Sequence, residues 1–422
     1  MTQKKLMDDI SNKVRIHYLR SSEFNGISFQ SLREHFKIEE NELKKILIEL
    51  LKHNQITFTF SSIFINPYIK AFKDLSIDKQ LELLESESIH DTCIYPSTTS
   101  LEKFINVDDL RDTPYTKRLS MGEPQFEPVY FELSVLENFF NDPRFSVQND
   151  DYSGSIYVKS EYDEEISEKD KINLETFGLA YNESLERVTI VYLRYLNKLS
   201  AEQQQFWKRY EYKGTCNQNR DYLRNTLGYW SENVSIFLAF IEELHHINEM
   251  TQIIGKPKLF RHDFKENRPK EFSIFLRPTL KNYNSFILSL DKLLSENLNK
   301  EFFKGEITLD LDIEREDGKI EVRNKGTIAL LEEWITKNFT TSDSDPLLKM
   351  FTTFKKVRKE RQKPAHAIQE DVFDKKYFKM QDEIIINAYS AVRTLRLMLA
   401  NHPKLKEYKV PTWLFEGKVI LH

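Results

Sequence analysis

From Phe378 to Leu399 one kind of side chain returns every three or four positions: Phe378, Gln381, Ile385, Ala388, Val392, Leu395 and Leu399. This spacing predicts a helix of about 25 residues, roughly 40 Å long at the usual rise. A stripe of that length is stable only when other helices cover it. Two candidates precede it. Ile328, Leu331, Trp334 and Ile335 mark one amphipathic helix. Pro346, after the polar TTSDSD, is placed as the first-turn proline of a second helix carrying Leu347, Phe351, Phe354 and Val357. Residues 325–422 therefore read as a helical bundle with a C-terminal tail.

The junction between the second and third of these helices, RKERQKPAH at 358–366, carries the most chemistry. Pro364 disfavours helix in the residue before it, so the second helix should stop near Gln362 or Lys363. Arg361 lies four and seven positions beyond Val357 and Phe354, so it extends the apolar stripe and must meet a partner, a ligand or a cleft. His366 would then stand at the mouth of the same cleft. Lys355, Lys356, Arg358, Lys359, Arg361 and Lys363 surround it against Glu360 alone. The whole chain has a net charge of -5, so this cationic patch is local and any polyanion site has to be local too. The plainer alternative is a cationic helix end that complements the macrodipole, with His366 a surface residue.

Arg361, four intervening residues and His366, at this helix junction, resemble the R-x4-6-H motif of the HEPN family. The resemblance spans residues 325–402 of 422. It implies a metal-independent endoribonuclease, with no cofactor, that acts as a homodimer through the C-terminal helical domain. Its substrate would be RNA, tRNA among the candidates, cut by attack of a 2′-hydroxyl on the adjoining phosphodiester. His366 would be the general acid or base, since histidine moves protons near neutral pH. Arg361 would stabilise the developing phosphorane charge through its planar fork. Lys359 and Lys363 would hold flanking phosphates, with Lys355, Lys356, Arg358 and Gln362 completing the RNA-binding surface. Gln362 also fills, loosely, the polar position that many family members have after the arginine. Some HEPN domains are inactive scaffolds. A second match, Arg396 and His402, ends the long helix, where the family does not place the motif, and reads as coincidence.

Upstream, helical spacing at Ile10, Val14, Tyr18 and Leu19, then NGISFQSLREHF at 25–36, then Leu43, Ile46, Leu47, Leu50 and Leu51, predicts three helices. QITFTFSSIFINPYI at 55–69 alternates like two strands around Ser61 and Ser62. Three helices followed by a hairpin resemble a winged helix. The face its third helix would offer to DNA holds Glu39, Glu40, Glu42 and Glu49 against Lys44, Lys45 and Lys52, which opposes major-groove docking. DKQLELLESES reads as helix and YPSTTS at 95–100 as loop. Ser200 with Gln203 starts a capped helix. Ile307, Leu309, Leu311 and Ile313 alternate into the EDG turn, and Ile320 and Val322 return as a hairpin.

The expected fold class is mostly α with small β elements, an α+β chain. Its parts are a winged-helix-like module over 1–72, a connecting region over 73–127, a mainly helical middle domain over 128–305, a β-hairpin over 306–324 and the HEPN-like domain over 325–422.

Other chemistry finds little support. Cys93 and Cys216 are the only cysteines, without a CxxC pair, which argues for a reducing compartment. FIEELHHINE at 240–249 has E-x-x-H spacing at Glu243 and His246, but a carboxylate-bridged di-iron site needs a second copy, so a helical face with i,i+4 pairs is preferred. No P-loop, GxGxxG, GxSxG or HExxH occurs. No signal-like or spanning apolar run is read, so the expectation is a cytoplasmic protein without a membrane partner. The arrangement resembles toxins and abortive-infection effectors of anti-phage defence, in which sensing domains or an antitoxin-like regulatory protein restrain the nuclease. The rival class is a non-catalytic nucleic-acid binder or adaptor whose bundle only dimerises. The two separate on Arg361: an open basic cleft favours the nuclease, a bond to a buried carboxylate the adaptor.

Overall fold

The computed structural model describes residues 3–149, 151–229, 233–314, 320–341, 343–363 and 370–421. They form two compact units, Met1–Trp230 and Ser231–His422, and the chain is a mixture of helix and sheet. The division falls inside the span 128–305 that the sequence suggests is one domain.

The first unit opens with helix α1 (Gln3–Arg20), strand β1 (Ile27–Ser28) and helices α2 (Phe29–Phe36) and α3 (Glu40–Lys52). Strand β2 (Ile56–Phe60), helix α4 (Ile77–Ser86) and strand β3 (Thr92–Pro96) follow. The three helices stand where the apolar spacing puts them, and Ile10, Val14, Leu32, Leu43, Leu47 and Leu50 share one core. The local hairpin expected at 55–69 does not form. Only its first half is a strand, and β2 pairs antiparallel with β3, from Ile56 opposite Pro96 to Phe60 opposite Thr92, with β1 on the other side of β3. Pro67 has no N–H to give a ladder, and its carbonyl instead accepts a bond from the buried Thr59 hydroxyl. YPSTTS is likewise not a loop. Tyr95 and Pro96 end β3, and Ser97 caps helix α5 (Thr98–Glu102) by accepting from the Ser100 amide.

The rest of this unit is built on a sheet, not on the helices expected from residue 128. After α6 (Pro114–Ser120) come β4 (Pro128–Glu132), α7 (Glu137–Phe140), β5 (Phe145–Asn149), β6 (Ser153–Val158), β7 (Asn173–Asn182) and β8 (Arg187–Tyr192). Short helices α8 (Leu193–Leu196), α9 (Ala201–Lys208) and α10 (Arg220–Thr226) surround strand β9 (Cys216–Gln218). The sheet is antiparallel in the order β4-β8-β7-β6-β5, with β9 also on β7. Gly178 and Ala180 on β7 face Ile190 and Val188 on β8. These small residues leave room for the Tyr222 ring, which lies so close to Gly178 that a Cβ there would sit 2.4 Å from it, and which stacks on Tyr192 at 5.2 Å. On the other face Phe131 meets the buried Trp207 edge to face at 4.9 Å. Ser200 caps α9 as its spacing predicts, accepting from the Gln203 amide at 3.2 Å.

The second unit contains strand β10 (Val234–Ser235), helices α11 (Ile236–Ile253) and α12 (Leu280–Leu294), strands β11 (Asp310–Glu314) and β12 (Ile320–Asn324), helices α13 (Thr327–Asn338), α14 (Asp345–Gln362), α15 (Lys376–Ala400) and α16 (Thr412–Glu416), and strand β13 (Val419–Ile420). The long helix α15 packs on α11 and α14, and α12 packs on α14. Phe237, Phe272 and Phe286 are buried and form an aromatic cluster. Gln381 interrupts the apolar stripe of α15 for a reason: fully buried, it accepts from the Phe275 amide at 3.1 Å and donates to the Ser273 carbonyl at 2.8 Å, tying an irregular segment to the helix. β11 and β12 form a two-stranded antiparallel hairpin, and its EDG turn lies outside the described residues. Among the described residues no helix is long and apolar enough to cross a membrane.

Candidate functional site

Helix α14 starts at Asp345 with Pro346 in its first turn and ends at Gln362, with Lys363 as its C-cap. Met350, Phe351, Phe354 and Val357 are its buried residues, so Arg358 and Arg361 lie at the edge of the packed face one turn apart. That edge runs against the end of α12. Arg358 Nη1 stands 3.3 Å from Asp291 Oδ2 and 3.5 Å from Glu296 Oε1. Arg361 Nη2 stands 3.0 Å from Glu296 Oε1, and its Nε 3.9 Å from Asp291 Oδ2.

The four side chains are unequal. Asp291 has no exposed surface, whereas Arg361 is 34% and Glu296 36% exposed. The Asp291 oxygens meet no partner in good hydrogen-bond geometry among the described residues, though the buried Ser295 hydroxyl one turn on adds to the pull that favours its charge. Burial pushes its carboxyl above the ordinary carboxylate range, against the pull of Arg358 and, more weakly, Arg361. Arg358 is the closer cation to the buried acid, and Arg361 bonds chiefly to the half-exposed one. Arg361 thus meets acidic partners, as its place on the stripe requires, and keeps a third of its surface open.

The remaining expected residues divide into three groups. Lys355 pairs with Glu332 at 2.7 Å and Lys363 with Glu360 at 2.6 Å. Lys356, Lys359 and Gln362 are exposed. Lys356, Lys359 and Lys363 recur at i, i+3 and i+7 and share one side of α14. His366 lies outside the described residues, as do its neighbours from Pro364 to Gln369. Asp291 and Glu296 were not singled out from the sequence. Their signal was present, because Asp291 sits among Ile287, Leu290 and Leu294 on an apolar helical stripe, a position that demands a cation.

The two other clusters weighed in the sequence are accounted for structurally. The guanidinium of Arg396 is buried and bonds both oxygens of Glu243, with Nη2 at 3.2 Å from Oε1, so it holds α15 to α11. His245 lies 3.2 Å from Asp263 and 3.4 Å from Glu249. His246 bonds the Tyr408 hydroxyl through Nδ1 at 2.6 Å, and that hydroxyl donates to Glu249. Burial holds the His246 imidazolium below its ordinary pKa, against Glu242 and Glu249. No three His, Cys, Asp or Glu side chains among the described residues are arranged to hold a metal ion.

Comparison of the chain with protein-family models, with curated proteins and with solved structures returns no match.

Proposed function

We propose that the second unit is a HEPN-type, metal-independent endoribonuclease and the chain a regulated toxin or anti-phage effector. One observation carries the reading: Arg361, five residues before His366, stands at the end of α14 with a third of its surface open beside exposed lysines. Its bond to Glu296 is of the half-exposed kind that contributes roughly 1 kcal/mol or less, so an RNA phosphate can replace that carboxylate. The buried Asp291 keeps Arg358 when Arg361 turns to substrate.

In this reading the 2′-hydroxyl gives its proton to a base and its oxygen attacks phosphorus, while the bond to the 5′-oxygen breaks and that oxygen takes up a proton. His366 serves one of these transfers. Arg361 hydrogen-bonds the non-bridging oxygens as charge builds on them. Lys356, Lys359 and Lys363 draw the RNA backbone along one side of α14. Cytoplasmic RNA, tRNA included, is the substrate class, the active form is a homodimer, and a regulatory protein or the first unit restrains it. The order of three helices and the sheet β1-β3-β2 in that unit supports a winged-helix-like module with α4 inserted before its last strand.

The ion pairs of Arg358 and Arg361 with Asp291 and Glu296 favour a second reading, a non-catalytic adaptor in which both arginines are structural. Incubation with total RNA and tRNA in EDTA, comparing wild type with Arg361→Ala and His366→Ala, separates the two. Cleavage that survives chelation and is lost in both variants establishes the nuclease. Cleavage unchanged in the variants overturns the assignment of Arg361 and His366, and no cleavage by a preparation from which the regulator has been removed favours the adaptor.

A further inference from the structure

The hairpin β11–β12 has no third strand among the described residues, and Leu311, Ile320 and Val322 are 51%, 68% and 63% exposed. A two-stranded hairpin with open edges and exposed apolar side chains is a ready template for another strand. Charge distinguishes its two edges. Along β11 the outer edge presents Asp310, Asp312 and Glu314, so a second β11 would set acids against acids. Along β12 the sequence is Ile320, Glu321, Val322, Arg323, Asn324.

The register fixes which β12 groups face outward. Lys325 donates its N–H to the Leu309 carbonyl at 2.9 Å, two residues beyond the Arg323–Leu311 pair. Arg323 and Glu321 therefore spend their backbone groups within the hairpin, whereas Ile320, Val322 and Asn324, at the alternate pairs, aim theirs away from β11. Antiparallel pairing of two β12 strands about Val322 joins those outward groups. Val322 meets Val322, and Ile320 meets Asn324. Glu321 of each copy lies opposite Arg323 of the other at the closely spaced, non-hydrogen-bonded pairs, where side chains interact most strongly. Within one chain Arg323 already bonds Glu321, at 2.6 and 3.1 Å, so the two charges are matched in length and face the same side.

We infer that a second copy of this chain pairs with β12, giving a continuous β11-β12-β12-β11 sheet across a two-fold axis. Backbone parity permits this register and charge selects it, because pairing about Glu321 or Arg323 would set like charges opposite each other, and the two-fold closes the assembly instead of propagating it. This interface stands whether or not the bundle cleaves RNA.

Sedimentation velocity on the full chain tests it. Wild type is expected as a dimer. Glu321→Arg places arginine opposite Arg323, and Arg323→Glu places glutamate opposite Glu321, so each should weaken self-association about tenfold or more. An equimolar mixture of the two variants should return to dimer, because each like-charged strand then faces its complement, and so should the swapped double variant. This rescue also shows that the single variants are folded. A monomeric wild type, a dimer indifferent to both reversals, or single variants that weaken without rescue on mixing overturns the pairing. RNA cleavage, read separately, leaves the nuclease proposal to its own experiment.

Discussion

Arg358 places its guanidinium 3.3 Å from Asp291, a carboxylate with no exposed surface at all. One turn on, Arg361 lies 3.0 Å from Glu296, which is 36% exposed. The two arginines look alike in the sequence and differ in what their loss would leave behind. Arg358→Ala strands a buried charge and should cost about 3 kcal/mol. Arg361→Ala returns Glu296 to water and should cost less than about 1 kcal/mol while abolishing the proposed cleavage. Urea denaturation beside the RNA assay checks both. Equal destabilisation by the two substitutions would contradict the division of roles.

Asp291 also makes a pH-dependent contribution. Its carboxyl is raised on folding by burial, so the stability it contributes is complete below the ordinary carboxylate pKa and lost as pH rises through the raised value. Asp291→Asn cannot ionise and lacks this loss. As pH rises above about 4 the variant should therefore gain stability relative to wild type. Urea midpoints over that rise show it, and parallel curves for the two proteins would refute it.

The pair Glu243–Arg396 joins α11 to α15 deep in the second unit, with side chains 0% and 4% exposed. Removing one partner leaves the other charged in the core. Glu243→Ala or Arg396→Ala should each destabilise by about 3 to 5 kcal/mol, and Glu243→Leu with Arg396→Met by much less. A double-mutant cycle followed by thermal melting measures the difference. Costs that simply add would show that the pair is uncoupled.

At His246 the sign is opposite to that at Asp291. Burial lowers its pKa, with His245 acting in the same direction and Glu242 and Glu249 against it, while Tyr408 occupies Nδ1. The folded chain binds this proton less readily than the unfolded chain. Stability from the neutral ring is present above about pH 6.5 and declines as pH falls through that value toward the lowered one. His246→Asn should flatten the fall in Tm between roughly pH 7 and pH 5. An unchanged slope would mean that another group sets it.

Where periodicity was long the elements were legible. α3, α14 and α15, the Pro346 start, the stop at Gln362 and the Ser200 cap all follow from spacing and terminal chemistry within a few residues of one another. The sheet of the first unit was legible only in pieces. The run LERVTIVYLRYL at 185–196 is apolar enough for a buried strand or a helix, and its first half becomes β8 because β4 and β7 flank it on both sides. The expected wing failed for the same reason: alternation at 55–60 predicts a strand but not its partner, which lies beyond a helix, at Thr92–Pro96.

The sequence by itself determined the local terms: helix lengths, caps, breaks, and the cationic run that ends at a proline before His366. Those depend on residues within one or two turns of each other. Only the tertiary structure decided which charges meet. Asp291 stands 67 positions from Arg358 in the chain and reaches it because α12 packs on α14, and Glu243 meets Arg396 because α15 packs along α11. The energy of such pairs is set by burial and by a few ångströms of separation, and neither quantity is written in local spacing.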